Sequence, residues 1–173
     1  MNIRAENQVD YEVTESLIQE AFRNAEFSNH KEHLLVHKLR HSESFVPPLS
    51  LIAESDNQIV GHILFTKVKI EGIITKESLA LAPLSVLPKM QRQGIGTRLL
   101  KYGLQKAKEL GFESVIVLGH PEYYKKFGFK SASRWNIKCP FEVPDEVFMA
   151  LELKENALNN ASGIVRYPDV FTE

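Results

Sequence analysis

The segment from Leu79 to Gly119 constrains the fold of this chain more than any other part of it. It begins with "LALAPLSVL" (Leu79–Leu87), which is apolar at nearly every position and is typical of a strand covered on both faces. Apolar residues then recur at helical spacing from Ile95 to a glycine cap expected at Gly111. The short apolar run "SVIVLG" predicts a second strand. A strand, a helix and a strand in this order predict a right-handed parallel crossover.

Two helices are predicted ahead of this crossover. Apolar residues at three-to-four spacing predict the first helix over Val9–Phe22 and the second from about Lys31 to Arg40. Two consecutive prolines, Pro47 and Pro48, end any helix that precedes them. The side chains that these two helices are expected to bury are Val13, Leu17, Ile18, Phe22, Leu34, Leu35 and Leu39.

An antiparallel hairpin is predicted between the second helix and the crossover. Strand patterns cover Leu49–Ser55 and Ile59–Ile70, and the turn residues "DNQ" join them. After the crossover we expect one short helix that ends at Gly128, and then strands with proline-broken loops to about Lys154. These elements predict an α/β fold: a mixed twisted sheet, antiparallel in its N-terminal part and parallel at the crossover, with helices on both faces.

The chain has 173 residues, 43% of them hydrophobic, and shows no internal repeat or linker. We therefore expect a single domain over residues 1–173, with its central part at 51–130. The C-terminal tail, 155–173, begins with the polar stretch "ENALNNASG", which we expect on the surface before "IVRYPDVF" returns to the body.

Charge and cysteine content exclude several classes of function. A formal net charge of -1 gives no basic field, so the chain is not expected to bind nucleic acid. No apolar stretch approaches the ~18 residues of a membrane span, and the start "MNIRAENQ" has no signal region. With only one cysteine, Cys139, an internal disulfide is impossible. We expect a soluble cytoplasmic protein, either a monomer or a homodimer.

The crossover helix is preceded by two glycines, Gly94 and Gly96. The first N–H groups of a helix have no intrahelical acceptor and favour anions, and glycine lets a phosphate approach them closely. A dinucleotide-binding loop would have a third glycine at Leu99, and a P-loop would end in Gly-Lys-Ser/Thr; neither template fits. Taken alone, the two glycines could also simply ease a turn from strand to helix.

The wider pattern decides between these readings. The loop reads Gln91-Arg92-Gln93-Gly94-Ile95-Gly96, it is preceded by Val86 and Pro88, and "YYKKFGF" follows downstream. In these features the chain resembles the GNAT superfamily of N-acetyltransferases, over about Leu51 to Lys130. The end "GIVRYPDVF" resembles that of the YhbS-like bacterial branch of the superfamily.

The resemblance implies acetyl-CoA as cosubstrate. The loop would take the pyrophosphate through its backbone N–H groups, with charge from Arg92, Arg98 and Lys126. The acyl-pantetheine arm would lie in the gap where the strand ending at Leu87 diverges from the strand Ser114–Leu118. Pro83 suits such a gap, because proline has no N–H to donate to a neighbouring strand. The residues implied in binding acetyl-CoA are Leu84, Ser85, Val86, Gln91, Arg92, Gln93, Gly94, Ile95, Gly96 and Thr97.

The resemblance also implies direct transfer of the acetyl group to an amine in a ternary complex. Tyr124 occupies the family position of the acid that protonates the departing thiolate. An amine must lose a proton to attack, since its reference pKa is ~10.4. The base that takes this proton is not evident: Glu54, Glu77 or water could serve, and we favour water. His120 follows the predicted strand end and could relay a proton, but we favour a loop histidine with no catalytic role.

Two alternatives stay open. The apolar strand Leu79–Ala82 lacks the carboxylate that many relatives carry there, so the domain could instead bind acyl-CoA as a sensor without transfer. A stripe of His30, His33, His37 and His41 could bind a metal in a regulator, although the sequence shows no third-ligand signature. We favour the enzyme, with no metal. The acceptor, whether a small amine or a protein amine, is not specified by the sequence.

Overall fold

The computed structural model describes residues 1–173 and contains nine strands and four helices. The strands β1 to β9 are Asn2–Ala5, Phe45–Ser55, Gln58–Glu71, Lys76–Val86, Ser114–Leu118, Lys130–Ser131, Ile137–Lys138, Phe148–Glu152 and Gly163–Arg166. The helices α1 to α4 are Tyr11–Phe22, Glu32–Leu39, Ile95–Glu109 and Pro121–Tyr124.

The strands form one mixed sheet. Its hydrogen-bonded order is β1-β2-β3-β4-β5-β8-β6, and β9 pairs with both β3 and β7. Strands β4 and β5 are parallel, with Leu79 opposite Val115 and Leu81 opposite Val117. The predicted mixed sheet with a parallel crossover is thus confirmed.

The chain divides into two compact units, and strands β3 and β4 and helix α3 run through both. The first unit comprises residues 1–66, 82–106 and 173. In it β1, β2 and β3 are antiparallel neighbours. The β2–β3 hairpin turns at Asp56 and Asn57, which have left-handed backbones with φ of 50° and 62°; this turn was predicted.

Within the first unit, β3 carries helices on both of its faces. On one face a Cβ at Gly61 would lie 2.9 Å from Leu99 of α3, and a Cβ at Gly103 of α3 would lie 2.3 Å from the ring of Phe65. These glycines let α3 approach the strand closely. Alternate residues of a strand point to opposite faces, so His62 points away from α3, toward Arg40 at the end of α2.

The second unit comprises residues 67–81 and 107–172. Its core includes residues of β3, β4, β5 and β8 and of the C-terminal tail. Leu158 and Ala161 belong to this core, so the polar tail segment is not wholly on the surface as predicted. The Nζ of Lys76 donates to the carbonyls of Ala157 and Asn159, both at 3.0 Å, and the tail returns to the body as β9, as expected.

Several sequence predictions were wrong in detail. Strand β1 was missed, because "NIRA" has only four residues, too few for its alternation of polar and apolar residues to predict a strand. Strand β2 begins at Phe45 and passes through Pro47 and Pro48. The register with β3 shifts between Phe45 and Ser50, so the two prolines need not donate a regular inter-strand hydrogen bond. Val13 and Leu34 are about half exposed instead of buried, because Thr14 and Val36 occupy the inward positions of α1 and α2.

The helix ends were predicted more accurately. Helix α3 is followed by Gly111 at φ 92°, and the short turn after α4 ends at Gly128 at φ 94°. Both are left-handed positions that glycine adopts without steric cost. No helix in the structure has the length and apolarity that crossing a membrane would require.

Candidate cofactor and catalytic site

The loop between β4 and α3 has a backbone shaped by two left-handed residues. Arg92 has φ 64° and Gly94 has φ 82°. Internal hydrogen bonds fix the loop: the N–H of Met90 donates to the carbonyl of Leu87 at 2.8 Å, and the side-chain amide of Gln91 donates to the carbonyl of Val86 at 3.1 Å. Gln91 therefore braces the loop, which is a structural role in addition to the binding role predicted for it.

Gly94 begins helix α3, since its carbonyl accepts the N–H of Arg98 at 3.0 Å. Ile95 and Gly96 are the first two residues of α3, and the N–H groups at the start of an α-helix have no acceptor within the helix. The first turn has no acidic residue, so no carboxylate of its own opposes an anion there. A helix of 15 residues with such a start is suited to bind phosphate.

The backbone angle at position 94 favours glycine. A Cβ added to Gly94 would meet no atom within 4 Å, so the space beside it is open. The positive φ is what an L-amino acid would tolerate poorly. The side chains of Arg92 and Gln93 are exposed on the same loop.

The end of β4 carries the three residues predicted to bind the pantetheine arm. Leu84 and Val86 are half-buried, whereas Ser85 is 1% exposed. The Ser85 hydroxyl has no hydrogen-bond partner. Directly after the strand, the N–H of Leu87 donates to the carbonyl of Val60 in β3 at 3.0 Å.

Tyr124 lies in the second unit, at the end of α4. Pro121 starts this short helix after His120, and the N–H of Tyr124 donates to the His120 carbonyl at 3.1 Å. The Tyr124 ring covers Gly119, where an added Cβ would lie 2.6 Å from the ring carbon Cε2. Gly119 directly follows β5, so the absence of a side chain there lets the ring lie against the strand end.

Neighbouring rings hold Tyr124 in this position. Its ring meets those of Tyr123 and Phe129 edge to face, with centroids 5.1 and 5.6 Å away. Burial, with a smaller contribution from Tyr123, raises the pKa of Tyr124 above that of a free phenol. The phenol is therefore protonated at neutral pH and can donate a proton.

The two carboxylates considered as bases are placed differently. Glu54 accepts from Nε of Arg4 at 2.5 Å and is committed to that ion pair. Glu77 is exposed near the start of β4. Neither carboxylate is buried.

A buried polar cluster in the first unit was not predicted from the sequence. It is formed by Glu6, Arg40, Ser50 and His62, and we call it the Glu6 cluster. Arg40 donates to both carboxylate oxygens of Glu6, at 3.0 and 3.1 Å, and to Glu15 at 2.7 Å. The Ser50 hydroxyl donates to Oε1 of Glu6 at 2.5 Å and lies 3.1 Å from Nε2 of His62. The His62 side chain is wholly buried.

Burial lowers the pKa of His62 to about 4, with Glu6 opposing and Arg40 reinforcing that shift. The imidazole is therefore neutral at physiological pH. One signal could have revealed the cluster: His62 and Ser50 are polar residues inside the apolar strands "IVGHILF" and "LSLIA".

The histidine stripe divides among unrelated contacts. Nδ1 of His30 lies 2.9 Å from the Phe22 carbonyl, and Nδ1 of His37 lies 2.9 Å from Oε1 of Glu15. The rings of His37 and His41 meet edge to face. Nowhere in the structure do three or more potential metal ligands come together. At half-buried Cys139, burial raises the thiol pKa, which opposes a nucleophilic role.

Comparison with known proteins agrees with this fold. The model of the acetyltransferase (GNAT) family matches residues 12–129, a range that includes the glycine loop and Tyr124. The chain therefore belongs to the GNAT family of acetyltransferases, as the sequence pattern predicted.

Its relatives include two uncharacterized N-acetyltransferases of Escherichia coli K12. The chain is 31% identical to YhbS over 172 residues, which cover 99% of the chain and 98% of YhbS. It is 38% identical to YjhQ over 122 residues, which cover 69% of the chain and 67% of YjhQ. The predicted likeness to YhbS is thus confirmed.

Two solved structures share the fold over nearly the whole chain. The structure of E. coli YhbS in complex with CoA matches with a TM-score of 0.89 and 29% identity, over 99% of this chain and 92% of that one. The structure of a GNAT family acetyltransferase from Brucella melitensis in complex with acetyl-CoA matches with a TM-score of 0.81 and 33% identity, over 98% and 97%.

Proposed function

We propose that this chain is an N-acetyltransferase that transfers the acetyl group of acetyl-CoA to a primary amine. The observation that carries the proposal is the start of α3, where first-turn amides follow the left-handed Gly94 and no carboxylate opposes an anion. Membership of the family and the CoA and acetyl-CoA complexes of two relatives support acetyl-CoA as the molecule bound.

In the proposed mechanism the chain binds acetyl-CoA through three groups of residues. The amides from Gln93 to Thr97 hold the pyrophosphate, with Arg92 and Arg98 adding charge-assisted hydrogen bonds. Backbone groups of Leu84, Ser85 and Val86 hold the pantetheine arm. The exposed loop side chains and the end of β4 are compatible with these roles.

Transfer then needs one proton removed and one proton supplied. The neutral amine attacks the thioester carbonyl, a C–N bond forms, and the C–S bond breaks. Tyr124 supplies the proton to the thiolate: its phenol is protonated at neutral pH and gives up the proton as negative charge develops on the sulfur. Direct attack requires no covalent bond between the enzyme and the acetyl group.

Release of free CoA thiol tests the proposal. The full chain is incubated with acetyl-CoA and a panel of polyamines, amino acids and lysine peptides, and acetyl-CoA binding is measured separately by calorimetry. Amine-dependent thiol release is expected. Tight binding of acetyl-CoA without release for any amine would instead favour the acyl-CoA sensor, and the absence of binding would refute both functions.

A further inference from the structure

We propose that His62 relays the proton that the attacking amine loses, through the hydroxyl of Ser85 and one bridging water. This inference rests on the proposed function, because it supplies the base which that reaction requires. The Glu6 cluster and two buried polar atoms that the protein itself leaves unpaired support it.

The hydrogen bonds of the Glu6 cluster determine which nitrogen of His62 carries a proton. The Glu6 carboxylate, paired with Arg40, can only accept, so the one hydroxyl proton of Ser50 is donated to it. The Ser50 oxygen can then only accept from Nε2 of His62 at 3.1 Å. Nε2 therefore carries the proton, and Nδ1 keeps a free lone pair.

That lone pair has no partner in the protein. Nδ1 of His62 is buried without a hydrogen bond, and so is the hydroxyl of Ser85. An unpaired buried polar atom costs roughly 1–3 kcal/mol, so two of them suggest a role in binding water or substrate.

The two unpaired atoms belong to neighbouring positions of the sheet. The N–H of Leu87, directly after β4, donates to the carbonyl of Val60 in the neighbouring strand β3, so these two residues lie opposite each other. Because β3 and β4 run antiparallel, two residues back along β4 is Ser85 and two residues forward along β3 is His62. These two residues are therefore also opposite each other, with side chains on the same face. Opposite side chains have Cβ atoms about 4.5–5.5 Å apart, so the Ser85 hydroxyl and Nδ1 of His62 are close enough to share one water.

Ser85 connects this pair to the proposed chemistry. It lies between Leu84 and Val86, in the segment proposed to hold the acyl-pantetheine arm, so we assign its hydroxyl as the group that first accepts the amine proton. The Ser85 oxygen accepts the amine proton as the Ser85 hydroxyl proton passes to the bridging water, and Nδ1 of His62 accepts a proton from that water. The imidazolium so formed keeps its Nε2–H bond to Ser50, which is bonded to the Glu6 carboxylate.

The surroundings of His62 let the imidazole hold a proton only briefly, during turnover. Glu6 stabilises the imidazolium, whereas burial and Arg40 oppose it. Glu15, bonded to both Arg40 and His37, offsets part of the Arg40 charge. His62 is thus neutral before each turnover, able to accept, and returns the proton to solvent, from which Tyr124 is reprotonated.

The test compares His62→Gln and Ser85→Ala with Thr66→Val in the full chain. Thr66 lies on β3 like His62, and its hydroxyl is also buried and unpaired, so Thr66→Val controls for loss of a buried polar atom. We expect His62→Gln to lower kcat about 100-fold and Ser85→Ala at least tenfold, while the affinity for acetyl-CoA changes less than twofold. Thr66→Val should keep the wild-type kcat.

A second readout does not depend on activity. Nitrogen-15 NMR of the imidazole in the wild-type chain should show the proton on Nε2 and a bare Nδ1. A proton on Nδ1 would overturn the inference, as would wild-type kcat in His62→Gln or an equal loss in Thr66→Val.

If His62→Gln does not fold, wild-type kcat in Ser85→Ala refutes the relay. A wild-type chain that releases no thiol removes the proposed function and the relay together, whereas an active wild type with unaffected variants removes the relay alone.

Discussion

The guanidinium of Arg40 and the carboxylate of Glu6 form a bidentate ion pair in which each side chain is only 1% exposed. Because both charges are out of water, removal of one leaves the other buried and unpaired. We predict that Arg40→Leu lowers the free energy of unfolding by about 3–5 kcal/mol, measured by urea denaturation. Arg40→Lys should also destabilise, because an ammonium cannot donate in the bidentate geometry.

The exposed pair of Lys38 and Glu173 is the control. Its Nζ–Oε2 distance is also 3.0 Å, but the two side chains are 46% and 52% exposed. Lys38→Ala should therefore change the unfolding free energy by less than about 1 kcal/mol. Equal effects of Arg40→Leu and Lys38→Ala would show that burial of the Glu6 pair has no energetic consequence.

His62 predicts how stability depends on pH. The folded chain protonates this imidazole only below about pH 4, whereas the unfolded chain does so below about 6.5. Between these values the unfolded state holds more protons, so stability falls as the pH falls. This contribution, about 3 kcal/mol, is fully present above about pH 6.5 and is lost progressively toward pH 4.

Unfolding free energies measured at steps from pH 7 to 4 check this prediction. His62→Gln, which cannot titrate, should show a shallower decline than the wild type over this window. Asp10 also has a lowered pKa, owing to its hydrogen bond with Arg4, but its contribution is lost below the usual carboxylate value of 3.8. Parallel curves for both proteins would mean that His62 does not titrate as proposed.

Patterns that are local in sequence were the predictable part of this fold. The crossover from β4 through α3 to β5 follows from apolar runs and helical spacing. Gly111 marks the end of α3, and Gly128 marks the end of the short turn after α4. The buried faces of α1 and α2 were predicted less accurately. In α1, Thr14 points inward where Val13 was expected. The rotation of the helix about its own axis decides which of the two is buried, and tertiary packing sets that rotation.

Partners that are distant in sequence were not predictable. Arg40 is 34 residues from Glu6, and Ser50 is 44 residues from it. A polar residue in an apolar strand shows no sign of the partner that the fold will bring to it. The loop at Gly94 and the ring of Tyr124 were found because their spacing carries a family pattern, whereas the Glu6 cluster carries none.

Substitutions at Gly94 can distinguish two reasons for glycine there: its positive φ, and the space beside it that a phosphate would occupy. At φ 82° a β-branched residue is strained, whereas asparagine adopts such angles readily, and an added Cβ would meet no atom within 4 Å. We predict that Gly94→Val abolishes acetyl-CoA binding without unfolding the chain, because the loop must rearrange and its amides turn away. Gly94→Asn should keep binding within several-fold of the wild type.

Calorimetric titration with acetyl-CoA measures both variants, and circular dichroism confirms that they are folded. Wild-type affinity in Gly94→Val would remove the loop from phosphate binding. An equally complete loss in Gly94→Asn would show that the phosphate needs the space beside Gly94, and not only its backbone angle.

The contact of Gly119 with Tyr124 tests the proposed acid. Gly119→Ala places a Cβ 2.6 Å from the Tyr124 ring, so the ring must move. We expect a loss of roughly 1–3 kcal/mol in stability and a fall in kcat, with little change in the affinity for acetyl-CoA. Tyr124→Phe should lower kcat by about 100-fold, again with little change in affinity.

The double variant distinguishes displacement of the hydroxyl from general damage. With Tyr124→Phe the acid is already absent but the ring remains, so adding Gly119→Ala should cost the usual stability and little further kcat. Gly103→Ala is the matched control, since its Cβ would lie 2.3 Å from the Phe65 ring, which has no part in the proposed chemistry. That variant should lose stability but keep kcat per folded molecule. If the kcat losses of Gly119→Ala and Tyr124→Phe are simply additive, the hydroxyl of Tyr124 is not what Gly119 positions.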